Sequence, residues 1–270
     1  MKVAAIQMVG TQSVERNLEQ ARALLEQAAK GGAELAALPE FFCLMAKDND
    51  AKRAIGEDFG DGPIQRFLSD CARELGLWIV GGTLPLRTPD GGGNRVRSAS
   101  LVFDPAGDFV ARYDKMHLFR FEQGEEKHDE TRLLEAGTEP VTFDLPSRGG
   151  RLWRVGLSVC YDLRFPEFYR ALGADLLLVP SAFTWPTGQA HWELLLRARA
   201  VENLAYVLAP AQGGLHENGR RTWGHSMLVD PWGEVLAQHA SGPAVVAGRV
   251  DAARLDSLRT QLPALSHRVL

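Results

Sequence analysis

Ser226-Met-Leu-Val-Asp-Pro-Trp-Gly-Glu-Val-Leu-Ala237 decides the reading of the fold, because an earlier stretch, Ser100-Leu-Val-Phe-Asp-Pro-Ala-Gly-Asp-Phe-Val-Ala111, repeats its pattern. Both fit S-x-x-x-D-P-x-G-x-x-x-A. Each reads as a hairpin, two β-rich runs around an Asp-Pro-x-Gly turn. That turn chemistry is common, so the weight falls on what precedes each hairpin. Before the first, residues 3–8 read as a strand. Ser13 then caps a helix carrying Leu18, Ala21, Leu24, Leu25 and Ala28 at helical spacing, and Gly31-Gly32 ends it. A short buried strand at 35–38 is halted by Pro39, Pro63 opens a helix to about Leu75, and 77–81 is a strand. Before the second hairpin come a strand at 155–159, a helix at 165–172 and a strand at 175–179 halted by Pro180. A helix at 190–202 and a strand at 205–209 complete the set. Leu38-Pro39-Glu40 corresponds to Val179-Pro180-Ser181. Two similar halves follow, each strand–helix–strand–helix–strand–hairpin.

A sheet with helices on one side keeps a bare apolar face, best buried against another sheet. The expectation is therefore an α/β protein, a four-layer α-β-β-α sandwich of two pseudo-repeated halves. No Ser/Gly-rich linker separates them, so residues 1–270 read as one domain. The stretch 120–139 is polar, charged and unpatterned, and reads as a long functional or mobile loop.

Composition narrows the function. A net charge of -4 gives no basic footprint for nucleic acid, and no apolar run approaches the length of a membrane span. Residues 1–8 enter an apolar strand at once, without the core or cleavage region of a signal peptide, so a cytoplasmic protein is expected. Cys43, Cys71 and Cys160 include no C-x-x-C, which argues against a disulfide framework or structural zinc. The seven histidines show no H-x-x-x-H or H-E-x-x-H spacing, so neither metal nor cofactor is expected.

Chemistry concentrates around Arg154-Val-Gly-Leu-Ser-Val-Cys160-Tyr-Asp-Leu-Arg-Phe-Pro-Glu167. An apolar run ends at a thiol just before a segment able to start a helix. A side chain at such a corner is lifted from the sheet, with the next backbone N–H beside whatever it attacks. A buried apolar cysteine is the plain alternative. Glu40 ends another buried strand, where a carboxylate suits proton transfer. Lys115 follows the first hairpin, where an ammonium can stabilise an oxyanion and help keep a thiol ionised. A thiol–histidine dyad through His191 or His225 is the competing mechanism.

Leu38-Pro-Glu-Phe-Phe42, Tyr113-Asp-Lys-Met-His-Leu-Phe119 and Val159-Cys-Tyr-Asp-Leu-Arg-Phe-Pro-Glu167 resemble, in order and spacing, the Glu–Lys–Cys motifs of the nitrilase superfamily of carbon–nitrogen hydrolases. The likeness runs over nearly the whole chain and agrees with the sandwich. It implies Cys160 as nucleophile, Glu40 as proton acceptor and donor, and Lys115 with the Tyr161 backbone N–H as oxyanion holders. A second glutamate is implied in the loop between the lysine and cysteine motifs. Glu130 is the best match, with Glu125, Glu126 and Glu135 nearby. The segments 180–200 and 222–233 are most similar to the Nit-type branch, particularly deaminated glutathione amidases. That likeness implies hydrolysis of N-(4-oxoglutaryl)-cysteinylglycine to 2-oxoglutarate and Cys-Gly, with ω-amides such as 2-oxoglutaramate as the alternative. Arg164 is a candidate partner for a substrate carboxylate, unless it pairs with Glu167 or Asp162. Phe183, Thr184, Trp185 and Thr187 are candidate pocket residues, while Arg197 and Arg199 are assigned to helix packing. Relatives often pair, so a homodimer is implied, with 165–172 and 251–270 as the expected interface. The non-enzymatic alternative is a scaffold or partner-binding subunit.

Overall fold

The alternation of side chains along the first strand, Lys2–Gln7, sets the layers. In the computed structural model, which describes residues 1–88, 95–123 and 126–269, Val3 and Ala5 pack with Leu35, Val80, Val155, Leu157 and Leu178 between two sheets. Ala4 and Ile6 face the other way, onto Ala21, Leu25, Ile64 and Leu68. Those last residues belong to helices α1 (Val14–Lys30) and, beyond the short α2 (Asn49–Ala54), α3 (Pro63–Leu75). Helix α1 starts where Ser13 accepts from the Arg16 N–H, and α3 where Pro63 needs no donor. On the second sheet, α4 (Pro166–Leu172) and α5 (Trp185–Asn203) bring Phe168, Leu172, Trp192 and Leu196 into the core. The layers are α-β-β-α, as the duplicated pattern predicts.

Each sheet is built on three parallel strands. In the first they are Lys2–Gln7, Leu35–Ala37 and Trp78–Val80, with Val3 opposite Leu35 and Leu35 opposite Trp78. In the second they are Leu152–Leu157, Leu176–Leu178 and Tyr206–Ala209, with Val155 opposite Leu176 and Leu176 opposite Tyr206. The hairpins Val96–Phe103/Phe109–Asp114 and Ser226–Val229/Val235–His239 extend each sheet on one side.

The opposite edges were not foreseen. Thr142–Pro146, which follows the first half, pairs antiparallel with Leu152–Leu157 of the second sheet. Ala244–Arg249, which follows the second half, pairs antiparallel with Lys2–Gln7 of the first. Each half therefore lends its last strand to the other half's sheet.

Other departures are local. The strand expected at 155–159 runs Leu152–Leu157, because Cys160–Arg164 forms a tight 3-10 turn. Helix α5 starts at Trp185, five residues before the expected position, since Pro186 sits in its first turn where no intrahelical donor is needed. The stretch 120–139 is not unpatterned. Arg120–Gln123 pairs with Glu126–Asp129 in a hairpin, followed by a 3-10 turn at Glu130–Arg132. Phe121 is the one apolar residue among its paired positions, too few to show a hydrophobic period. A final helix, α6 (Ala252–Gln261), packs Leu255 and Leu258 inward. No helix of the described residues is long and apolar enough to cross a membrane.

Candidate active site

The carboxyl ends of the parallel strands converge on one end of the sandwich, the usual ligand side of such sheets. Glu40 follows Leu35–Ala37, Cys160 follows Leu152–Leu157, and Ala182, Phe183 and Thr184 follow Leu176–Leu178. Cys160 holds φ 51°, the left-handed region that a side-chain-bearing residue seldom adopts. Its own N–H donates to the Pro180 carbonyl at 3.0 Å, so the strained corner is anchored to the neighbouring strand end. Phe41, directly after Glu40, is likewise left-handed at φ 57°, and its N–H is held by Thr83 Oγ1 at 2.9 Å.

Lys115 joins these ends. Its Nζ donates to Glu40 Oε1 and to Glu130 Oε2, both at 2.8 Å. Lys115 and Glu40 are each 1% exposed. Burial alone would lower the lysine's pKa, but Glu130 and Glu40 outweigh it and hold the ammonium well above its ordinary range. For Glu130, burial pushes upward, while Lys115 and the Phe119 N–H more than reverse it. Cys160 differs. Burial raises its thiol first and the Glu40 carboxylate adds to that, so the pull of Lys115 toward thiolate is overcome. These influences favour the neutral thiol, with Glu40 and the Ala182 backbone both acting on the sulfur. That direction runs against the expectation that Lys115 keeps the thiol ionised.

Asp162, fully buried, ties the lysine and cysteine segments together. It accepts from Tyr113 Oη at 2.7 Å, the His117 N–H at 3.1 Å and the Val159 N–H at 2.8 Å, and it meets His117 Nδ1 at 2.7 Å. Tyr113 Oη accepts in turn from the Met116 N–H at 3.1 Å. The signal for this role was the proximity of an acid to each reactive residue, Asp114 and Asp162, and only the fold tells them apart. Asp114 pairs with Arg97 and Arg112 instead.

A chamber of about 20 Å³ lies against the sulfur, walled by Glu40, Lys115, Glu130, Tyr161 and Arg164, with Phe183, Thr184 and Thr187. It meets a cleft of about 1050 Å³, the two sharing Phe41, Phe119, Glu130 and Arg220 in their walls. Among the sequence candidates, Trp185 lines only the cleft, where it packs edge-on to Trp223 and carries the Arg221 guanidinium 3.3 Å from its ring centroid. Phe41, Phe119 and Arg220 were missed. Arg220 arrives through the hairpin Gly213–Leu215/Arg221–Trp223, which the sequence did not announce.

A carbon–nitrogen hydrolase family model matches residues 2–260. The chain belongs to the carbon–nitrogen hydrolase family. The likeness to the nitrilase superfamily read from the motifs is thus borne out. A curated Synechocystis relative named deaminated glutathione amidase is 38% identical, covering 98% of this chain and 97% of its own. Among solved structures, Saccharomyces cerevisiae Nit3, a member of branch 10 of the nitrilase superfamily, superposes with a TM-score of 0.87 at 28% identity. The match covers 100% of this chain and 97% of that one. A Xanthomonas campestris superfamily protein, solved with an arsenic adduct in its active site, gives 0.86 at 32% identity over the same shares. Membership makes the chain a hydrolase of carbon–nitrogen bonds, and the scaffold reading is set aside.

In this carbon–nitrogen hydrolase the histidine alternatives find other partners. His191 Nδ1 lies 3.4 Å from Arg164 Nη1, and His225 Nδ1 lies 2.9 Å from the Trp223 carbonyl while its ring stacks on Trp223. Neither lines the chamber around Cys160. Arg164 makes no ion pair with Glu167 or Asp162. It lies over the rings of Tyr161 and Phe183 at the chamber wall. Arg197 and Arg199 serve packing, through the Gly233 carbonyl and Glu202. Of the four glutamates considered, Glu130 meets Lys115 and Glu135 pairs with Arg97. Glu125 and the Glu126 side chain lie outside the described residues.

Proposed function

We propose that this carbon–nitrogen hydrolase is a deaminated glutathione amidase, splitting N-(4-oxoglutaryl)-cysteinylglycine into 2-oxoglutarate and Cys-Gly through a thioester. The observation that carries the reading is the buried Lys115 ammonium bridging Glu40 and Glu130 beside the Cys160 thiol. A neutral thiol needs a base at the moment of attack, and Glu40 is hydrogen-bonded to it. Cys160 Sγ bonds to the amide carbonyl carbon as Glu40 takes its proton. Lys115 and the Tyr161 N–H hold the oxyanion. The carbon–nitrogen bond breaks as Glu40 returns the proton to the departing amine of Cys-Gly. Glu40 then takes a proton from water, whose oxygen displaces the thiolate and releases 2-oxoglutarate, and Glu40 returns that proton to the Cys160 sulfur. Glu130 keeps Lys115 aimed.

Charge supports an acidic substrate. Both carboxylates in the chamber wall are occupied by Lys115, whereas Arg164 and Arg220 at the same wall have no carboxylate partner among the described residues. The relative named deaminated glutathione amidase supports the same choice. The test compares kcat/KM for N-(4-oxoglutaryl)-cysteinylglycine and 2-oxoglutaramate. A preference for the first is expected, and a strong preference for the second would replace this reading with an ω-amidase. Intact-mass spectrometry should show the acyl adduct on the wild type, and turnover undiminished in Cys160→Ala would sink the mechanism.

The protein is further proposed to be a single-domain cytoplasmic homodimer. A groove between α4, the end of α5 and the C-terminal segment, lined by Pro166, Arg170, Glu202 and Val269, supports pairing on the face expected from the sequence. Gel filtration giving a monomer would remove that part.

A further inference from the structure

Two cations at the boundary between chamber and cleft have no carboxylate to meet. Lys52, on α2, holds its Nζ 3.9 Å from the centroid of the Phe41 ring. The Arg220 guanidinium lies over the same ring at 5.8 Å. Neither makes an ion pair among the described residues. Arg220 Nη2 donates to the Ala182 carbonyl at 2.8 Å, yet its Nε is buried with no hydrogen-bond partner. A buried donor left unmade is costly unless a ligand completes it.

Phe41, beneath both cations, lines the chamber as well as the cleft. Phe41 directly follows Glu40, the group that protonates the leaving amine in the proposed reaction. A leaving group passing from chamber to cleft crosses the wall that Phe41 and Arg220 share. Arg164 lines the chamber but not the cleft, Lys52 lines the cleft but not the chamber, and Arg220 lines both. The chamber at the sulfur is small beside the cleft it adjoins, which places a dipeptide on the nitrogen side in the cleft. Two extended residues reach about 7 Å, which suits a terminal carboxylate to the rim around Phe41.

We propose that Lys52 and Arg220, held against the Phe41 ring, form a rim subsite that binds the C-terminal carboxylate of the leaving dipeptide. The proposal rests on the amidase reading above and assigns its leaving-group specificity. Burial lowers the Lys52 ammonium to about 8, with Arg220 and Lys115 pushing the same way and Glu130 and Glu40 opposing. An arriving carboxylate relieves that crowding of positive charge.

The experiment measures kcat/KM for N-(4-oxoglutaryl)-cysteinylglycine and for its C-terminal carboxamide at pH 7. The wild type should favour the acid about tenfold, mainly through KM, as expected for a partly solvated ion pair. Lys52→Met should cut that ratio to about twofold, and Lys52→Arg should keep it. Because the readout is a ratio within each variant, loss of folded protein does not imitate the result. Equal kcat/KM for acid and carboxamide in the wild type would overturn the subsite while leaving the amidase reading intact. A tenfold ratio surviving in Lys52→Met would also overturn it. Wild-type enzyme that hydrolyses neither compound but turns over 2-oxoglutaramate would overturn the substrate reading and the rim assignment together.

Discussion

Replacing Lys115 by methionine should turn the Glu130 carboxylate from a stabilising group into a destabilising one. Lys115 Nζ meets two carboxylate oxygens at 2.8 Å in a buried setting. At an effective dielectric near 20 each contact attracts by about 6 kcal/mol, most of it offset by desolvation of the three groups. Removing one partner of such a cluster costs about 3–5 kcal/mol. The pH dependence is more diagnostic. In the wild type the Glu130 carboxyl sits below its ordinary 4.5, so its contribution is present above that pH and is lost as pH falls through the depressed value. In Lys115→Met burial acts without the ammonium and raises the Glu130 pKa, so stability is lost as pH rises past 4.5. Lys115 itself titrates well above this window. The gap between the two proteins should therefore widen from pH 5 toward neutrality by up to about 1.4 kcal/mol per pH unit. Urea unfolding at pH 5, 6, 7 and 8 measures it, with Glu130→Gln and the double variant completing a cycle. A gap that stays flat with pH, or a double variant equal to the sum of the singles, would refute the charge argument.

Three shorter expectations accompany it. Tyr113→Phe removes the hydroxyl that bridges Asp162 and the Met116 N–H, and should cost about 1–3 kcal/mol in urea unfolding; a change under about 0.5 kcal/mol would show that Asp162 does not depend on it. Gly82→Ala places a Cβ 2.0 Å from the Pro39 carbonyl at φ 50°, just behind Glu40. It should lower both stability, by about 1–3 kcal/mol, and kcat. Gly76→Ala, also left-handed at φ 61° but with nothing within 4 Å of its Cβ, should leave kcat alone, and equal effects on kcat would contradict the clash. Alkylation of Cys160 by iodoacetamide, read by peptide mass spectrometry, should keep accelerating from pH 6 to pH 9, because burial and then Glu40 hold the thiol protonated; a plateau near pH 7 would mean a resting thiolate.

The layer structure was legible because strand alternation and helix spacing are local properties, and both halves state them twice. The same holds for Glu40, Lys115 and Cys160, which stand at strand ends that Pro39, the first hairpin and the Val159-Cys160 corner mark in the sequence. Ala244–Arg249 carries no sign that it will pair with Lys2–Gln7 rather than with its neighbours. The paired strands Arg120–Gln123 and Glu126–Asp129 are polar apart from Phe121, so no apolar alternation reveals them. Phe41, Arg220 and Lys52 converge at the cleft through long-range packing, which spacing along one chain does not encode. The displaced start of α5 has a plainer cause: Pro186 and Gly188 look like helix breakers until one sees that the proline lies in the first turn and Gly188 packs against Trp223.

The exchange of edge strands between the halves bears on how the chain is made. Lys2 is registered opposite Arg249 and Gln7 opposite Ala244, so the first sheet is closed by a segment translated long after the strand it covers. Until then Lys2–Gln7 presents a row of unpaired backbone donors and acceptors beside an apolar face, the kind of surface that recruits strands from other molecules. The second sheet has no such delay, since Thr142–Pro146 precedes the strand it covers. Synthesis therefore leaves the N-terminal half waiting, open-edged, while the half that carries the nucleophile can complete its own sheet first.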